Sequence, residues 1–124
     1  MKRVLIFTIL LVSFLSGKAQ INDNSSIVFN ATVYQFGLIK RGSNAEHVFP
    51  FVNKSKNPVV ITNVKAFCGC VELTWTNEPI MPNDSGIIKV KYYANTIGTF
   101  SKTVKIFTNR TDQSISLTVK GECH

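Results

Sequence analysis

The sequence predicts an all-β domain, and three observations carry that expectation. Apolar residues recur with period two from Ile27 onward, in seven short runs. Clusters of Gly, Pro, Asn, Asp and Ser separate the runs, and each of these residues favours turns for a conformational reason. No segment after residue 26 shows the 3.6-residue spacing of an amphipathic helix. About seven short strands in roughly 100 residues form the pattern of an immunoglobulin-like β-sandwich. A half-open barrel is the structural alternative.

The first element precedes that domain. Lys2 and Arg3 open the chain, and residues 4–15 are a mostly apolar run. Gly17 and Ala19 then place small residues at the −3 and −1 positions of a cleavage site. This is the layout of a secretory signal peptide over residues 1–19. The run falls short of the roughly 20 residues of a membrane span; an uncleaved anchor is the competing reading. No cysteine follows Ala19 directly, so a lipid-modified N-terminus is not indicated. Cleavage there leaves 105 residues of the 124, starting at Gln20, and no other segment is long and apolar enough to span a membrane. The expected location is the periplasm or the exterior. Residues 20–26, QINDNSS, are polar and expected to be a flexible start; residues 27–124 form the sandwich domain.

Within the domain, residues 27–36 read as the first strand, apolar and β-branched. Residues 46–53 read as the second, with Phe49 and Phe51 as core and Pro50 between them. Proline donates no ladder hydrogen bond, so this strand is an edge or bulges at Pro50. The edge protects the sheet or accepts a partner strand. Residues 58–67 carry Val59, Ile61 and Val64. In residues 71–75, Val71, Leu73 and Trp75 alternate with Glu72 and Thr74. That alternation favours Trp75 as a core residue over a sugar-stacking surface. Residues 87–93 place Ile88, Val90 and Tyr92 on one face and Lys89 and Lys91 on the other. Tyr92 and Tyr93 are adjacent, so one of them faces out. Residues 100–108 set Lys102, Val104 and Ile106 against Thr103, Lys105 and Phe107, and residues 115–119 close the series. Asn24, Asn30, Asn53, Asn83 and Asn109 begin Asn-x-Ser/Thr triplets. In a bacterial chain these are read as turn and strand polarity rather than glycan sites.

Charge and composition exclude several functions. Lys2, Arg3 and Lys18 leave with the signal peptide, which takes Lys+Arg from 14 to 11 and the net charge from +7 to +4. The remaining basic residues are scattered, so nucleic-acid binding is not expected. His47 and His124 are the only histidines, the seven acids pair with nothing recognisable, and no glycine loop cradles a phosphate. No catalytic residue and no cofactor are therefore expected.

The residues with the most chemistry are Cys68-Gly69-Cys70 and Cys123. Export permits disulfides, and three cysteines leave at least one outside an intramolecular bridge. In a flat strand, Cys68 and Cys70 point to one face with Cα atoms about 6.6 Å apart. A disulfide prefers about 5.5–6 Å, so a Cys68–Cys70 bond requires a bend that Gly69 permits. Such a bond would be easily reduced, which suits a redox role. Against this, there is no thioredoxin-like α/β pattern, and the nearest cation in sequence is Lys65. A pair of thiolates also suits Cu(I), whereas zinc wants four ligands. Cys123 and His124 complete a set with Cys68 and Cys70 only if the last strand ends beside residue 70. The third reading is structural, with Gly69 as a bulge that re-aims the strand. All three stay open here.

Several stretches together resemble one family: residues 36–42, Phe49 to Asn53, Ile61–Ala66 leading into Cys68-Gly69-Cys70, and residues 78–82 with a turn at Gly86. Residues 98–102, Thr108-Asn109 and residues 117–121 complete the set. Over about residues 30–121 the chain resembles the bacterial secreted family known as domain-of-unknown-function family 1573. The resemblance implies an immunoglobulin-like sandwich, related in shape to motile-sperm and cilium-associated modules, in exported and envelope proteins. It implies no reaction. Where the family usually writes Pro-Gly, this chain has Pro82-Asn83, and asparagine also tolerates positive φ. The tail from Gly121 to His124 departs from the pattern, so a role for Cys123 is private to this chain. The functional expectation is an exported, non-enzymatic module that binds or scaffolds another envelope component. The alternative is a thiol–disulfide or Cu/Zn-handling protein centred on Cys68 and Cys70.

Overall fold

A computed structural model of the chain describes residues 27–124, apart from the side chains of residues 111 and 112. The expected signal peptide, residues 1–19, and flexible start, residues 20–26, lie outside the described residues. The described chain is all-β, without a helix. Its strands are β1 Ile27–Phe29, β2 Val33–Ile39, β3 Asn44–Asn53, β4 Ile61–Ala66, β5 Val71–Trp75, β6 Ser85–Tyr93, β7 Gly98–Thr108 and β8 Thr111–Cys123. They form two four-stranded sheets, in the orders β1-β3-β6-β5 and β2-β8-β7-β4.

The strand count differs from the expected seven because residues 27–36 divide. β1 pairs antiparallel with β3 in the first sheet, whereas β2 pairs parallel with β8 in the second. The chain changes sheets across residues 30–32, as strands do at the corners of sandwiches. A uniform β-branched composition conceals that corner, since both halves suit a strand. β2 then bulges between Gln35 and Leu38, at Gly37 with φ 74°.

The core fills the space between the sheets. Phe49, Phe51, Ile88 and Val90 from the first sheet meet Val64, Val104, Ile106, Leu117 and Val119 from the second. These are the inward positions that the alternation predicts. Val71, Leu73 and Trp75 also face inward but are only half-buried, because β5 is an edge strand. Tyr92 is buried and Tyr93 half-buried, as their adjacency requires.

Pro50 sits at a local edge. β1 pairs with β3 only as far as Phe29↔Phe51, so β3 from Asn44 to Pro50 has a ladder partner on the β6 side alone. Tyr34 of β2 lies over this stretch, stacked on His47 with centroids 3.6 Å apart and planes within 10°. His47 is therefore half-covered rather than a free surface residue, and burial lowers its pKa.

One buried polar residue ties two loops to the sheet. Asn53, fully buried, donates through Nδ2 to the carbonyls of Asn57 and Ile80, both at 2.8 Å. Its Oδ1 accepts from the Ser55 amide at 2.9 Å and the Ser55 hydroxyl at 2.7 Å. Asn83, in the adjoining loop, has φ 67°, the left-handed conformation that its place in the Pro82-Asn83 turn requires. Replacing Asn53 by alanine removes all four of these hydrogen bonds and strands the Ser55 amide, while the Ile80 carbonyl keeps the Val59 amide and the Asn57 carbonyl keeps the Ser55 hydroxyl. We expect a loss of roughly 2–3 kcal/mol, read as a fall in Tm of about 10–20 °C by circular dichroism.

Candidate functional site at the Cys68–Cys70 crossover

β4 and β5 are consecutive in sequence but are edge strands of opposite sheets. Residues 67–70 carry the chain between them. The Cys-Gly-Cys motif thus lies in a turn, not within a strand as its surroundings suggest. The turn is held at both ends. The Val71 amide donates to the Cys68 carbonyl at 3.4 Å, and the Tyr93 amide of β6 donates to the Cys70 carbonyl at 2.9 Å.

This placement alters the geometry of the cysteines. Their Cα atoms are 5.2 Å apart, inside the disulfide range rather than at the separation of a flat strand, and the two are joined as a disulfide. The Cys70 amide donates to Cys68 Sγ at 3.2 Å. Gly69 does not act through missing bulk or a left-handed conformation. A Cβ built there meets nothing within 4 Å, and its φ lies outside the left-handed region.

Cys68, Ser101 and Lys102 line both of two adjoining grooves. One, of about 260 Å³, is completed by Ala66, Phe67, Val71 and Thr103. The other, of about 290 Å³, is completed by Cys70, Tyr92, Tyr93, Phe100 and the 95–99 loop. Phe67 is 75% exposed on the rim of the first groove, with Lys105 Nζ 5.5 Å from its ring centroid. Ile97 is 63% exposed on the rim of the second.

Beneath the disulfide lies a second apolar cluster of Tyr92, Ala94, Phe100 and Cys123. Tyr92 and Phe100 stack with centroids 4.1 Å apart. Cys70 packs against this cluster. Cys123 is 1% exposed, its thiol 3.9 Å from the Ala94 carbonyl. Burial, and secondarily Cys123, raise the Tyr92 pKa. The Tyr93 hydroxyl donates to the Glu72 carboxylate, and that bond raises its pKa.

The structure brings Cys70 and Cys123 to one end of the sandwich but does not assemble a metal set with Cys68 and His124. His124 is exposed, and its backbone is paired with Ile39 and Arg41. No group of three or more His, Cys, Asp or Glu among the described residues is placed to hold a metal ion. Sequence reasoning missed Lys102. It looked to Lys65, the nearest cation along the chain, whereas Lys102 arrives from β7. Its signal was present: position 102 falls on the inward face with Phe100, Val104 and Ile106, where a lysine is out of place.

The architecture defines the class, a two-sheet sandwich of PapD-like and immunoglobulin-like type. A PapD-like domain of human CEP192 superposes with a TM-score of 0.67 at 6% identity, covering 80% of this chain and 85% of that domain. A protein of unknown function from Porphyromonas gingivalis W83 superposes with a TM-score of 0.65 at 13% identity, over 77% of this chain. The Vibrio cholerae VesB protease contains a similar region, with a TM-score of 0.64 at 12% identity over 81% of this chain. The present chain spans 46% of the Porphyromonas protein and 32% of VesB. At these identities the likeness is one of fold. No curated protein matches the sequence. The family is nonetheless plain: residues 27–123 match the model of the family described as Protein of unknown function (DUF1573), and the chain belongs to it. The match takes in Cys123.

A disulfide across three residues closes the smallest useful loop. The chain-entropy relation gives it about 1.5 kcal/mol, half the value for a 15-residue loop. Replacing Cys68 and Cys70 together by serine is expected to lower Tm by about 6–12 °C and leave the domain folded. Gly69→Ala is expected to change stability by less than about 0.5 kcal/mol in a denaturant titration.

Proposed function

We propose that this domain is an exported, non-enzymatic immunoglobulin-like module that binds another component of a bacterial cell envelope through the crossover between β4 and β5. One observation carries the proposal. Phe67 and Ile97, 75% and 63% exposed, stand on the rims of adjoining grooves with polar walls at Ser101 and Lys102. Large apolar side chains beside a concavity favour a partner that covers them. The basic start and apolar run of residues 1–19 support export.

Two measurements test this. The mature chain recovered from the periplasm or medium is expected to have an intact mass that begins at Gln20. Recovery of the full 124 residues there would overturn cleavage after Ala19, and absence of the chain from both fractions would overturn the export reading. Phe67→Ser with Ile97→Ser is expected to reduce recovery of a crosslinked envelope partner at least about tenfold, since exposed hot-spot anchors each contribute on the order of 1–2 kcal/mol. Tm should stay within a few degrees, because both side chains are largely in solvent. Undiminished crosslinking would place the interface elsewhere.

A second reading, thiol–disulfide exchange, is favoured by a different observation. The bridge borders open grooves, and its short loop contributes only about half the stabilisation of a 15-residue loop.

A further inference from the structure

We infer that the crossover is a thiol-exchange site for a cysteine-bearing polypeptide, in which Cys68 is the sulfur attacked, Cys70 is the resolving sulfur, and Lys102 is a positioning residue that favours the Cys68 thiolate. This rests on the thiol-exchange reading and adds to it the roles of individual atoms and the class of substrate.

The two sulfurs are not equivalent. Cys68 lines both grooves, whereas Cys70 lines only the larger and packs against the apolar cluster of Tyr92, Ala94, Phe100 and Cys123. A thiolate exchanging with a disulfide must reach the sulfur it attacks, so access decides between them. Cys68 also has the environment that stabilises a thiolate. The Cys70 amide donates to its Sγ at 3.2 Å, and Lys102 lines both of the grooves that Cys68 lines. Hydrogen bonds and nearby cations lower a thiol pKa, whereas apolar surroundings raise it. Both cysteines are half-buried, so the assignment of Cys68 as the nucleophile rests on its bordering both grooves and on its amide hydrogen bond, and that of Cys70 as its partner on its contact with the apolar cluster. Phe67, adjacent to Cys68 and exposed, offers an apolar contact to a polypeptide, which a small thiol would not need.

The exchange balances without a further reagent. A thiolate of a substrate dithiol attacks Cys68 Sγ. A bond forms between these sulfurs, the Cys68–Cys70 bond breaks, and its electron pair leaves on Cys70 Sγ, which takes up a proton. The substrate's second thiolate then attacks the substrate sulfur of the mixed disulfide and expels Cys68 as a thiolate into the grooves that Lys102 also lines. Two electrons pass from the substrate, which becomes a disulfide, to Cys68 and Cys70. In the reverse direction, the Cys68 thiolate opens a substrate disulfide and Cys70 resolves the mixed species. Cys123, 1% exposed, takes no part.

The test uses the mature chain with oxidised glutathione as the probe. Cys70→Ser is expected to acquire one glutathione at Cys68 at least about tenfold faster than Cys68→Ser acquires one at Cys70, by intact mass and peptide mapping. In the Cys70→Ser background, Lys102→Gln should raise the midpoint of the rate–pH profile, and Lys102→Arg should restore it. A merely structural role for Lys102 would not move that midpoint. Equal or faster reaction at Cys70 overturns the assignment of Cys68, and an unmoved midpoint overturns that of Lys102. As a check on the unsubstituted protein, brief reduction by dithiothreitol followed by limiting iodoacetamide should label Cys68 ahead of Cys70; the opposite order overturns the same assignment. If millimolar dithiothreitol leaves the bridge intact until the domain unfolds, the thiol-exchange reading fails, and this inference with it.

Discussion

The burial of one face of each sheet against the other is the constraint on which the rest of this structure depends. Phe51 shows how tight that contact is. Its ring lies against Gly86 so closely that a Cβ there would come within 2.5 Å of Cζ, and Phe29 packs on it with centroids 5.3 Å apart. Sheets facing each other in this way lie about 10 Å apart. A chain that contributes neighbouring strands to both must cross that gap. It does so at every junction from β1 to β5 and once more between β6 and β7. The crossing between β4 and β5 takes four residues, and two of them are cysteines.

The small apolar cluster at that end gives the crossing its asymmetry. Phe100 stacks on Tyr92 and is pressed against Gly121, where a Cβ would lie 2.6 Å from Phe100 Cζ and 2.8 Å from the Gly37 carbonyl. The last strand can therefore bring Cys123 into the interior only because residue 121 has no side chain. Cys70 rests on this packed floor while Cys68 borders the grooves. The difference between the two sulfurs thus follows from how the end of the sandwich is filled. It does not follow from the motif, in which they are alike.

The same scaffold occurs in the PapD-like domain of human CEP192 and within the Vibrio cholerae VesB protease, at identities that show a likeness of fold alone. Such a fold supplies rigid edges and crossovers on which different sites are built. In this chain the crossover places a disulfide, a lysine and two exposed apolar residues around adjoining grooves. Phe67 and Cys68 lie in the turn that follows β4, and Lys102 lies within β7, which the pairing of β7 with β4 holds alongside.

The sequence by itself determined the all-β class, the inward residues of β3, β6 and β7, and the turn at Pro82-Asn83. These follow from side-chain alternation and turn chemistry, which act between residues a few positions apart. Pro50 suggested an edge strand or a bulge; β3 is instead an inner strand that lacks a second ladder partner only from Asn44 to Pro50. Which sheet each strand joins was decided only by tertiary structure. Residues 27–36 look continuous because a strand at a corner has the same composition as one that runs straight. The turn at Cys68-Gly69-Cys70 was hidden because flanking alternation continues on both sides of a crossing. Lys102 was visible as an exception to a pattern, but its neighbour was not. It stands 34 positions from Cys68, and residues so far apart come to line one groove only when the sheets close on their common core.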